Sequence, residues 1–463
     1  MTATLDPPVL APAASPPPAR DLFVDVLRLF AIVLVVAQHW LMPVFDYSGG
    51  TLVTGNALTV PGGWAITWIS QVMPLIFFTG GAATAISLRR RGTGPDRAWV
   101  AERILRLAIP VLALAALWLP LPHLLLALGL PAEPVSVGAR LVGALLWFLA
   151  AYVMITLLSP ALVRLAQVLR GRELVGFAAV AIAVDVARFS FDAPDLLGYL
   201  NVLAVWGAVH QAGIHYGNGR LRGIRGVRAL ALGVAGFAVA ALAVAFGPYP
   251  PSMIGLPGDP MSNMNPPTAV LLALAVGQLG LALAIREKIA AWAARPRVAA
   301  VVGRLSGSSM TVYLWHTPAL VLVAGVAVFA LDRGTPDPLS AEWFDGVTAW
   351  VAMLTVVLVV AVRVFSRLER VRLPRPVAAD LSAGRLGAGG LLVGLGVLAL
   401  TVGGFRPETF WAPTGPLVAV ASITVGVLLL SGGRVRNAFA GGSGGRDGQP
   451  RWSSAARTGR VAS

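Results

Sequence analysis

Twelve apolar stretches of about membrane-spanning length recur along the 463-residue chain, near 22–42, 64–88, 103–122, 140–159, 173–190, 197–215, 228–247, 267–285, 308–331, 345–366, 389–404 and 414–431. A helix needs roughly 20 apolar residues to cross the hydrocarbon core. No soluble domain can bury so many such stretches. The composition agrees, with 57% hydrophobic and only 12% charged residues. The expected fold is all-α: a polytopic integral membrane protein with ten helices in residues 20–370 and two further transmembrane helices in 389–431. Residues 1–19, rich in Ala and Pro, and 432–463, rich in Gly, Ser and Arg, read as disordered tails, and 371–388 as a linker. No strand is expected.

The loops alternate in charge. Arg89–Arg106, Arg164–Arg172, Arg220–Arg228, Arg286–Arg304 and Arg363–Arg375 are basic, whereas the intervening loops are acidic or nearly uncharged. Lys and Arg accumulate in cytoplasmic loops, so both termini are expected in the cytoplasm, in the cell membrane. The net charge of +15 is then topology within a lipid bilayer, not a nucleic-acid footprint. Absence of cysteine excludes disulfides and thiolate chemistry. No metal-ligand spacing, phosphate-binding glycine loop or serine elbow is present. No internal repeat is visible, which argues against a secondary transporter.

The first span carries Asp25, Arg28 and His39, where a charge near the bilayer centre costs about 2.5–3.5 kcal/mol. At about 100° per residue, Arg28 and His39 share one helix face, roughly 16 Å apart along the axis. Asp25 lies one turn before Arg28 and can pair with it. Imidazole suits proton removal from a hydroxyl, which makes His39 a candidate base. On spacing alone, His39 serves equally well as an interfacial histidine, and Arg28 as a structural partner of Asp25. Tyr313 lies one turn from His316, deep in the ninth span, where a helix–helix hydrogen bond competes with a substrate-lining role. His210 and His215 read as interfacial, and Arg89, Arg90 and Arg91 as ordinary positive-inside charge.

Four motifs in register carry a resemblance. They are Arg20-Asp21-Leu22-Phe23-Val24-Asp25-Val26-Leu27-Arg28 with His39 downstream; Met73-Pro74-Leu75-Ile76-Phe77-Phe78-Thr79-Gly80-Gly81; Arg103-Ile104-Leu105-Arg106-Leu107-Ala108-Ile109-Pro110; and Tyr313-Leu314-Trp315-His316-Thr317-Pro318. Trp147-Phe148-Leu149 fits a fourth-helix element. Over about residues 20–370 the chain resembles the membrane-bound acyltransferase-3 family, in a short form without a fused esterase-like domain. The departure is Gly80, where that family commonly has Ser.

The resemblance implies transfer of an acyl group from cytoplasmic acyl-CoA, acetyl-CoA first among them, to a hydroxyl of a cell-envelope glycan or small-molecule acceptor, with no metal. It implies His39 as base, assisted by Asp25 and Arg28. Arg103 and Arg106, one turn apart, would form one cationic patch for the CoA phosphates, with Arg28 along the route. Tyr313, His316, Trp147 and Phe78 would line the substrate path. The alternatives are a multi-span transporter or exporter of a possibly acylated metabolite, and a non-catalytic membrane scaffold. Oligomeric state is not legible.

Overall fold

A computed structural model of the chain describes residues 20–369 and 381–431, apart from positions 49, 93, 95, 192 and 260. Both expected tails and residues 371–380 of the linker lie outside the described residues. Helix α1 (Leu22–Leu41) starts at Asp21, whose carboxylate accepts from the Val24 amide at 3.2 Å. It stops just before Pro43, which has no amide N–H to continue the ladder. Phe23, Leu27, Ala31 and Val35, four residues apart, form its buried stripe.

The remaining helices of eight or more residues are α2 (Met73–Arg91), α3 (Arg97–Trp118), α4 (Ala132–Ala144), α5 (Trp147–Leu169), α6 (Arg172–Ser190), α7 (Leu200–Gly217), α8 (Gly226–Phe246) and α9 (Val270–Ala284). After these come α10 (Arg286–Ala293), α11 (Pro296–Ser306), α12 (Ser309–Leu331), α13 (Ala341–Glu369), α14 (Ala383–Gly403) and α15 (Pro416–Leu430). Every expected span is occupied by helix. Among the described residues, eight helical stretches are long and apolar enough to cross a membrane, or nine if α9 and α10, bent by 57°, count as one. The difference from twelve has a physical origin. Helix α6 carries Glu173, Asp185 and Arg188, α7 carries Asn201, His210, Gln211 and His215, and α15 is short. Helix α14 begins at Ala383, so the expected linker ends inside a helix.

Several polar residues of α6 and α7 are buried, and Asp185, Asn201, Glu173 and His215 find partners in the bundle. Asp185 accepts from the Asn201 amide (2.9 Å), the Tyr249 hydroxyl (2.9 Å) and the Ala269 amide (2.6 Å). This ties the loop 247–269 to the bundle. Burial first, and the Asp185 carboxylate second, push the Tyr249 phenol above its ordinary value, so it remains the donor. His215 pairs with Glu173 and accepts at Nδ1 from Arg220 (3.2 Å). His210 and His215 are therefore interior residues, not the interfacial ones expected.

A short antiparallel hairpin, β1 (Pro43–Ser48) and β2 (Thr51–Asn56), follows α1, contrary to the expectation of no strands. Gly50, at φ +80, makes the turn, and glycine adopts that conformation without steric cost. Tyr47 packs on Phe329 of α12 at 5.5 Å and Phe45 on Trp350 of α13 at 5.8 Å. The hairpin thus covers one end of the bundle.

Helices α2 and α7 approach backbone to backbone. A Cβ on Gly81 would lie 1.9 Å from the His210 carbonyl oxygen, and one on Gly213 would lie 2.0 Å from the Phe78 carbonyl oxygen. Neither carbonyl can move without unwinding its helix. Gly213→Val is expected to lower the thermal midpoint of the detergent-purified protein, at the upper end of the about 1–3 kcal/mol typical of overpacking. Gly176→Ala, where nothing lies within 4 Å of the new Cβ, is not expected to lower it.

Candidate functional site

The end of the bundle beneath the hairpin holds two facing histidines. His39, in the last turn of α1, and His316 of α12 have ring centroids 5.2 Å apart. The Nδ1 of His39 donates to the Val35 carbonyl (2.8 Å), and that of His316 to the Tyr313 carbonyl (2.6 Å). A ring nitrogen facing a carbonyl must be the protonated one, so each neutral ring keeps its lone pair on Nε2. Thr317 Oγ1 lies 3.3 Å from Nε2 of His316, and its hydroxyl can donate there. The indole of Trp40 donates to the His316 carbonyl (2.9 Å), and that of Trp350 to the Trp40 carbonyl (2.9 Å).

Of the expected lining residues, Tyr313 and His316 are at this site. The Tyr313 hydroxyl donates to the Leu145 carbonyl (2.5 Å), the helix–helix bond that competed with a lining role. Trp147 joins through Phe148, which touches Tyr313 edge-on at 5.5 Å. Phe78 does not join: it is fully buried and packs on Tyr216, toward the other end.

Asp25 is buried near the start of α1 and pairs with Arg20. Arg28, its expected partner, stands farther off at 3.8 Å and is half-buried. Arg20 was missed because it precedes the helix, where helical spacing does not apply.

Arg103 and Arg106 do not form the expected patch. Arg106 is exposed and pairs with Glu102, one turn before it. Arg103 turns inward, its guanidinium 4.8 Å over Trp99 and Nη2 3.4 Å from the Tyr152 hydroxyl. Gly80 makes this possible, because a Cβ there would lie 2.8 Å from that hydroxyl.

A different basic site does form. A cavity of about 380 Å³ is lined by Arg89, Arg222, Arg225 and Arg286, with Asp21 and Tyr216. Tyr216 donates to Asp21 (3.0 Å), Arg286 lies over its ring at 5.9 Å, and Arg225 also reaches Glu287 (3.2 Å). Arg89, though exposed, is one of the residues lining this cavity. The four arginines come from three basic stretches, and their separation in sequence hides their convergence. Among the described residues, no group of three His, Asp or Glu is placed to hold a metal ion.

A protein-family model described as "Acyltransferase domain" matches residues 21–366. The chain belongs to the acyltransferase-3 family and is a membrane acyltransferase. Comparison with curated proteins and with solved structures finds no match.

Asp25 compensates two guanidinium groups from a buried position. Asp25→Asn is expected to destabilise the protein by about 1.5–3 kcal/mol, the usual worth of a hydrogen bond to a charged group. Arg106→Ala is expected to leave the thermal midpoint unchanged, as is usual for an exposed ion pair. Thermal unfolding of both variants in the same detergent checks the contrast.

Proposed function

We propose that the chain is an O-acyltransferase of the cell membrane, moving an acyl group from cytoplasmic acyl-CoA to a hydroxyl of a glycan or small-molecule acceptor, with His39 as general base. The observation that carries this reading is the fixed tautomer of His39. Its Nδ1–H is committed to Val35, so the Nε2 lone pair is held ready beside a second imidazole.

The donor is handled from the other end. Asp21 caps α1 and lines the four-arginine cavity, and His39 follows eighteen residues later on the same helix, about 27 Å along the axis. A nucleotide with an extended pantetheine arm can span that path. The cavity, rather than Arg103 with Arg106, supplies the guanidinium donors suited to phosphate oxygens. Arg28, half-buried between the two ends, stands where a developing oxyanion or a donor carbonyl would need a cation.

The step balances without a covalent intermediate. The acceptor oxygen attacks the thioester carbonyl while Nε2 of His39 takes its proton. The C–S bond then breaks, and the leaving thiolate recovers the proton from the imidazolium. Both termini lie on the donor side in this reading, since the basic loops belong there.

Purified protein is expected to transfer label from acetyl-CoA, and His39→Ala to reduce the rate by at least about 10²-fold with the fold intact. Wild-type turnover in His39→Ala overturns the role of His39. Solute flux in proteoliposomes with no thioester cleavage replaces the reading with transport. Arg222→Ala with Arg286→Ala is expected to raise KM for acetyl-CoA at least about tenfold at little-changed kcat. An unchanged KM places the donor elsewhere.

A further inference from the structure

A cavity of about 780 Å³ opens at the histidine end between α1, the hairpin, the loop after α12 and the start of α13. Its volume lies within the range of small-molecule sites. Trp40 is both a wall of the cavity and the hydrogen-bond partner of His316, so the cavity adjoins the histidine pair.

The walls are pinned in place. The Thr335 amide donates to the Phe45 carbonyl (2.7 Å), and the Phe45 amide to the Thr335 hydroxyl (3.1 Å), which stitches the loop after α12 to β1. Trp350 is fixed by its bond to Trp40. With their N–H groups committed to backbone carbonyls, Trp40 and Trp350 have only apolar ring surface left to offer. Phe45 and Trp343 add two more rings.

Four carboxylates line the same cavity, Asp46, Asp332, Glu342 and Asp345, against one guanidinium, Arg333. None of these five groups takes part in an ion pair among the described residues. In a chain of net charge +15, this is a concentration of uncompensated negative charge beside the proposed base.

We infer that this cavity binds the acceptor, and that the acceptor is a hydroxyl-bearing ring carrying an amine, as in an amino sugar or aminocyclitol. The inference rests on the acyltransferase reading for the word acceptor, though not for the chemistry of binding. Flat aromatic faces stack on the C–H face of a saturated ring and attract a cation. Unpaired carboxylates take charge-assisted hydrogen bonds from an ammonium group and accept from neighbouring hydroxyls. The same carboxylates repel an anionic ring.

The test is equilibrium binding to the full-length purified protein, without donor, of methyl glucosaminide, methyl glucoside and methyl glucuronide. The amine probe is expected to bind at least about tenfold tighter than the neutral one, the glucuronide most weakly, with the spread shrinking as salt is raised. Glu342→Gln with Asp345→Asn is expected to abolish the amine preference while the neutral probe binds as before. Arg333→Gln, which removes the lone cation, is expected to enlarge the preference. Equal binding of the three probes, or tightest binding of the glucuronide, overturns the inference, as does a preference that none of these variants alters. If the amine preference holds and no acyl transfer to any probe occurs, the failure belongs to the acyltransferase reading and the cavity stands as a cation-selective carbohydrate site.

Discussion

The hydrogen bond from the Trp40 indole to the His316 carbonyl is the contact on which the rest of this site depends. It joins α1 to α12 through two residues 276 apart in sequence, at the level of both imidazoles. Both residues are buried, so the donor and acceptor have no water to fall back on, and leaving either unmade is costly. Trp350 then bonds to Trp40, which brings α13 into the same register. The separation of the two histidines and the inner wall of the large cavity follow from one backbone alignment.

Helix α1 is the second organising element. It carries the cap that borders the arginine cavity, a buried carboxylate holding Arg20 and Arg28, and the imidazole that faces α12. A single rigid helix thereby sets the distance between the two ends of the bundle. Charged residues that are expensive in a membrane are tolerable here because each has a partner or half-faces an opening, as intramembrane ionisable groups generally do.

Much of this was legible in the sequence because it is local or periodic. Apolar length located the helices, and helical spacing put Arg28 and His39 on one face. Tyr313 and His316 were singled out from one motif, and His316 does meet His39. What escaped is non-local. Arg89, Arg222, Arg225 and Arg286 share a cavity through folding alone, and no spacing rule connects them. The failure of the Arg103 and Arg106 pairing was readable in principle, since Glu102 stands four residues before Arg106 and offers the closer partner. The hairpin also left a signal: Gly49-Gly50 between two short runs with apolar residues is a two-residue turn pattern. It was overshadowed by the helical composition around it. The polar residues of α6 and α7 were visible, but the buried pairs Asp185 with Asn201 and Glu173 with His215 were not.

The missing side chain at position 80 has a consequence for how this part of the protein can change. The Tyr152 ring occupies the room that any residue larger than glycine would need, and its hydroxyl is what Arg103 meets on turning inward. Filling position 80 swings the phenol aside and releases the guanidinium. Positions 80, 103 and 152 are therefore coupled: a side chain at 80 is accommodated at the expense of the contact between Tyr152 and Arg103.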